Sequence, residues 1–116
     1  MFFAANAACA VVLCDDKDNV VSSKYISLPP KTTNNMAELR GLEEALKLSS
    51  KLFPLPVLYG DSYLIIKSYR GWLKFKNKAL KKHINRLLKR YPITPIVWVP
   101  REKNIAGFFL ENFRGV

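Results

Sequence analysis

Residues 7 to 14 read Ala-Ala-Cys-Ala-Val-Val-Leu-Cys, eight positions in a row without a polar side chain. Such a run is far shorter than the roughly 20 apolar residues of a membrane span, and its valines favour extended backbone. It therefore reads as a buried strand. Asp15-Asp16-Lys17-Asp18-Asn19 then supplies turn chemistry, and Val20 to Leu28 returns as a second strand that Pro29-Pro30 ends. A hairpin with a buried strand needs cover from other elements, and a chain of 116 residues with 49% apolar side chains has enough for one core. A single domain over residues 1–116 is expected. Cys9 and Cys14 have an odd spacing, so they fall on opposite faces of the strand and are expected as free thiols, which suits a reducing compartment.

The remainder alternates helical and extended patterns. Asn35-x-x-Glu38 resembles a capping box, with Glu38 reaching back to the Asn35 amide, and Leu39, Leu42 and Leu46 carry a helix to about Ser50. Pro54 and Pro56 break the chain before a short strand at Val57-Leu58-Tyr59, and Asp61-Ser62 can cap a helix running to about Trp72. Leu80, Ile84, Leu87, Leu88 and Tyr91 form one stripe of a further helix that Pro92 stops. Ile93 to Val99 predicts a strand in which Pro95 takes an early or edge position, with Trp98 placed in the core of a central strand. Asn104 to Asn112 closes the chain as a short helix. The predicted order is β-β-β-α-β-α-α-β-α.

Charge is distributed unevenly. From Ser62 to Arg101 there are eleven Lys or Arg and no Asp or Glu, whereas the rest holds eight basic and nine acidic residues. The whole excess of the +10 net charge lies in that block, which points to a polyanionic partner rather than a membrane. Lys74, Lys76, Lys78, Lys81, Lys82, Arg86, Lys89 and Arg90 are the residues expected to meet phosphates. Met1 to Leu13 has no basic start and no Arg or Ser, so neither a signal peptide nor a transit peptide is expected there. His83 is the only histidine and has no Ser or Cys partner for proton transfer.

Four segments, in this order, resemble the ribonuclease H family. They are Thr32-Thr33-Asn34-Asn35-Met36-Ala37-Glu38-Leu39, Leu58-Tyr59-Gly60-Asp61-Ser62, Gly71-Trp72-Leu73-Lys74-Phe75-Lys76-Asn77 and Trp98-Val99-Pro100-Arg101-Glu102-Lys103-Asn104. The resemblance implies an α/β fold with a five-stranded mixed sheet, three antiparallel strands then two parallel, flanked by helices. It also implies a centre of four carboxylates that hold two Mg2+ ions for phosphodiester cleavage. Glu38 and Asp61 match two of the four. The fourth position falls on Phe108, and no carboxylate precedes Asp15, so Phe2 or Phe3 takes the first position. Phenyl rings cannot ligate a hard cation. Glu111, one turn beyond Phe108, and Glu102 are the acids nearest in sequence that could stand in, while Asp15 and Asp16 belong to the far end of the hairpin.

The same resemblance places Asn34 and Asn35 against a nucleic-acid minor groove and Thr33 against a phosphate, with Asn77 ahead of the basic helix; turn and cap chemistry accounts for the first three equally well. Glu38 and Asp61 have capping roles open to them. The expected function is a non-catalytic RNA- or nucleic-acid-binding domain, without cofactor, serving an intracellular ribonucleoprotein such as a mitochondrial or other organellar ribosome. The alternative is an active Mg2+-dependent enzyme that cuts the RNA strand of RNA–DNA hybrids. Phe108, Phe109 and Phe113 also offer an apolar contact for a neighbouring protein.

Overall fold

The computed structural model describes residues 1–6, 8–71, 76–92 and 94–114, at Phe113 and Arg114 the backbone alone. Trp72, Lys74 and the Phe113 side chain, all singled out by the sequence, lie outside the described residues. The elements are β1 (Phe2–Ala5), β2 (Ala8–Cys14), β3 (Val20–Ser27), α1 (Asn34–Ser49), β4 (Leu58–Gly60), α2 (Tyr63–Tyr69), α3 (Lys78–Arg90), β5 (Ile96–Trp98), a 3-10 turn (Arg101–Lys103) and α4 (Ile105–Arg114). Their order follows the sequence reading; β5 and α2 are shorter than expected, while α4 runs on to Arg114 and β4 is shifted by one residue. Helix α2 ends at Tyr69 because Gly71 takes a left-handed φ of 82° and turns the chain away.

The sheet runs β3-β2-β1-β4-β5. β1 and β3 pair antiparallel with β2, and β4 is parallel to both β1 and β5. Three antiparallel strands are thus followed by two parallel ones. The hairpin closes on the Asp15 carboxylate, whose Oδ1 accepts from the amides of Lys17 and Asn19 at 2.9 Å each. Strand β5 is an edge, contrary to the central place expected for it. Its three residues begin after Pro95, which has no amide to give a ladder and instead accepts from the Leu58 amide at 2.9 Å.

Both faces of the sheet are covered, as the wholly apolar β2 requires. Helices α1, α2 and α3 lie on one face over Phe3, Val11, Leu58 and Ile96, contributing Leu39, Leu42, Leu46, Ile65, Ile66, Leu80, Ile84 and Leu87. Helix α4 covers the other with Ala106 and Leu110 against Ala4, Ala10 and Val12. Cys9 faces α1, where burial pushes its thiol up to about 12, and Cys14 faces α4; both are free. At the β1–β4 junction the Phe3 ring lies over Gly60, and a Cβ there would sit 2.5 Å from it. Polar ties reinforce α1. The buried Glu44 carboxylate holds Lys24 of β3 at 3.2 Å and Arg40 at 3.0 Å, and Glu43 meets His83 of α3 at 3.0 Å. Among the described residues no helix is long and apolar enough to cross a membrane.

Candidate functional site

The parallel strands β1 and β4 end side by side, and the two carboxylates that the sequence singled out meet at that end. Asp61 follows β4 directly. Ser62 caps α2, its hydroxyl accepting from the Ile65 amide at 3.3 Å. The same hydroxyl donates to Glu38 Oε2 at 2.6 Å. Burial raises the Glu38 carboxyl above its ordinary value; the Ser62 hydrogen bond works the other way, the Asp61 charge adds to the rise and Arg101 opposes it.

Asp61 is engaged differently. Its Oδ2 accepts from Arg101 Nη1 at 2.9 Å and from Asn104 Nδ2 at 2.9 Å. Asn104 is fully buried, and Nδ2 also donates to the Phe3 carbonyl at 3.0 Å while Oδ1 accepts from the Ala106 amide at 3.0 Å. The Arg101 guanidinium lies along α4 where a Cβ on Gly107 would come within 3.0 Å of Nε.

Neither carboxylate does the capping job open to it in the sequence. Thr33 caps α1, accepting from the Met36 amide at 3.2 Å, which leaves Glu38 facing Ser62 rather than Asn35. Ser62 caps α2 in place of Asp61, because the Asp61 side chain is drawn across the sheet end by Arg101 and Asn104.

The other acids stay apart. Glu111 is 62% exposed and, among the described residues, comes to 4.0 Å from the Arg101 guanidinium. Glu102 is exposed on the 3-10 turn, and Asp15 and Asp16 line a hollow with Met1, Pro56 and Val57 away from Asp61. Phe2 stacks on Tyr59 with ring centroids 5.1 Å apart, so it is Phe3, with Ala4 and Ala5, that lines the crevice beside Glu38 and Asp61. That crevice is closed to a sphere the size of water. Phe108 is half-exposed on α4 and brings no oxygen. Among the described residues no group of three or more His, Cys, Asp or Glu side chains converges. A pair of magnesium ions demands oxygen ligands and retained water, and these residues do not fit it.

A family model described as reverse transcriptase-like matches residues 4–110. LC11-RNase H1, isolated from compost by a metagenomic approach and solved in complex with an RNA/DNA hybrid, is 30% identical, with 90% of this chain and 86% of that one covered at a TM-score of 0.69. The chain belongs to the ribonuclease H family. RNase H1 of Halobacterium salinarum shares the fold at 24% identity and a TM-score of 0.74, over 99% of this chain and 96% of that one. So does the N-terminal RNase H domain of rv2228c from Mycobacterium tuberculosis, at 22% identity and 0.67, over 94% and 86%.

On this ribonuclease H domain the basic block is displayed along α3. Lys78, Lys81, Lys82, Arg86, Lys89 and Arg90 are exposed, opposite the buried Leu80, Ile84 and Leu87. Among the described residues none of those six enters an ion pair with an acid. Lys76 and Asn77 are exposed at the start of the helix, but the Asn77 side chain is used as its cap, accepting from Ala79 and Leu80. Asn34 is exposed and Asn35 half-buried beside the capping Thr33.

Two aromatic residues stand out that the sequence reading placed wrongly or passed over. Trp98 is 41% exposed on the edge strand, its indole N–H donating to the Asp61 carbonyl at 3.1 Å. Tyr63, 56% exposed in the first turn of α2, meets it edge-on with centroids 6.1 Å apart. The signal available for Tyr63 was its place directly after the Asp-Ser pair, off the apolar stripe of Ile65 and Ile66.

Proposed function

We propose that this ribonuclease H domain binds RNA, alone or in an RNA–DNA hybrid, without cutting it, as a component of an intracellular ribonucleoprotein such as an organellar ribosome. The observation that carries the reading is the state of Asp61. A carboxylate that would have to face a cation is instead bonded to the guanidinium of Arg101 and the amide of Asn104, with Phe108 on α4 and Phe3, Ala4 and Ala5 on β1 bringing no side-chain oxygen. Losing the acidic centre also removes the repulsion it would exert on phosphates, so the lysines and arginines of α3 act unopposed. LC11-RNase H1, a relative in the same family, was solved on an RNA/DNA hybrid, which supports nucleic acid as the partner. Contacts from a basic helix to phosphates fix a protein on a duplex or strand without reading sequence, which suits a role in assembly. The buried thiol of Cys9 suits a reducing compartment.

Binding of labelled RNA and of an RNA–DNA hybrid, measured across a salt series, tests this. With five or six phosphate contacts, log K against log salt should fall with a slope of about −4 for a single strand. Lys81→Glu with Lys82→Glu should flatten that slope by about 1 to 2. Turnover of the hybrid in Mg2+ or Mn2+, abolished by Asp61→Asn, would overturn the non-catalytic reading; a flat salt dependence would overturn the electrostatic one.

A further inference from the structure

Tyr63 and Trp98 are costly side chains to leave in water, and neither is left loose. The Trp98 ring is anchored through its N–H to the Asp61 carbonyl at 3.1 Å. The Tyr63 ring stands at 82° to it, so the two make a corner with one wall from each residue. Lys67, one turn further along α2, places its ammonium 5.1 Å from the Tyr63 centroid. Leu64, next to Tyr63 in the first turn of α2, is a further partly exposed apolar side chain, at 36%. Trp98 lies two residues from Ile96, so it belongs to the side of the sheet that α1, α2 and α3 cover, the side that also carries the basic helix. The corner stands where β4 and β5 end together, and ligands of sheets with parallel strands gather outside such carboxyl ends.

We infer that Tyr63 and Trp98 form a stacking corner for an unpaired nucleobase, with the Lys67 ammonium over one face of the Tyr63 ring. The inference rests on the proposed nucleic-acid role and adds a site to it. A rigid, half-exposed aromatic pair offers a base a face and an edge at once. Stacking is indifferent to base identity because every base has a π-face. The charge around the corner selects the occupant. Lys67 lies over the Tyr63 ring, the neighbouring Asp61 carboxylate is paired with Arg101, and residues 62–101 hold eleven Lys or Arg and no acid, which favours a phosphate-linked ring over an apolar protein side chain. The helix α3 lysines would then hold the backbone while the corner holds one base, so the domain would prefer single strands or junctions with an unpaired nucleotide over continuous duplex.

The full chain is titrated with an RNA oligomer and with an abasic ribose-phosphate oligomer of equal length and charge. The base-bearing strand should bind about 5- to 150-fold tighter, the span expected for one stacked base. Tyr63→Ala and Trp98→Ala should each remove most of that difference and leave the abasic affinity unchanged, whereas Trp98→Phe should keep most of it. Tyr63 is exposed enough for its alanine variant to fold, which a thermal melt checks. Equal affinities for the two oligomers in the wild type, or a difference that survives both alanine variants, would refute the stacking corner while the electrostatic reading stands. Failure of both oligomers to bind would refute the nucleic-acid reading and the corner with it.

Discussion

Replacing Asp61 with asparagine keeps the shape of the side chain and removes its charge, and the sign of the stability change separates two kinds of site. In a cluster of carboxylates awaiting cations, neutralising one relieves repulsion and the fold gains. Here Asp61 is an acceptor for Arg101 and for the buried Asn104, both at 2.9 Å. A hydrogen bond to a charged group contributes about 1.5–3 kcal/mol. Arg101 is 36% exposed and can turn to water, so its share is discounted. Asn104 cannot turn away, because the Phe3 carbonyl and the Ala106 amide hold it. A net loss of about 2 kcal/mol follows for Asp61→Asn. At an unfolding entropy of about 2.1 cal/mol/K per residue, that corresponds to a Tm lower by about 8 °C. Differential scanning calorimetry at neutral pH in chelator reads this directly. A Tm that rises in Asp61→Asn, or a wild-type Tm that climbs on adding millimolar magnesium, would show that the guanidinium does not hold the place assigned to it.

Glu38→Gln should behave in the opposite way. Burial raises the Glu38 carboxyl in the folded state, so its stability contribution is greatest below the unfolded value and is lost as pH rises through the folded one. The glutamine variant should therefore match or exceed the wild type at neutral pH and lose that advantage in acid, as pH-dependent melts would reveal. Glu44 has the reverse sign: burial acts to raise it, but the hydrogen bond and charge of Lys24, with Lys47 and Arg40, outweigh burial and hold it low. Its contribution is present above the unfolded value and lost as pH falls through the folded one. Glu44→Gln should cost about 1 kcal/mol at neutral pH and blunt the acid limb of the stability curve. Gly60→Ala should destabilise by about 2 kcal/mol, because its methyl meets the Phe3 ring, and Phe3→Leu in the same chain should recover part of the loss in denaturant titrations.

Element order was legible because each element carries its own signal: the apolar run of β2, the Asp15 turn, the prolines and the Leu80-Ile84-Leu87 stripe. What the chain does not write locally is where an element sits among its neighbours. Trp98 looks like a core residue by type, but a three-residue strand at the sheet edge leaves it half in water. Cap chemistry failed for a similar reason. Thr33, two residues before Asn35, and Ser62, next to Asp61, each offered a hydroxyl, and the hydroxyls took the amides while the carboxylates were drawn elsewhere. The gaps at Phe108 and in β1 were visible as missing oxygens. The bond of Arg101 to Asp61, 40 residues earlier, was not, because it exists only once β4 and the 3-10 turn are brought together.

Arg101 has a consequence for where such a domain can work. A diffusible ion leaves its pocket when its concentration drops, whereas a guanidinium borne on the backbone stays at hand whatever the surrounding solution contains. At the end of the sheet that cation is Arg101, part of the chain itself, 2.9 Å from the Asp61 carboxylate.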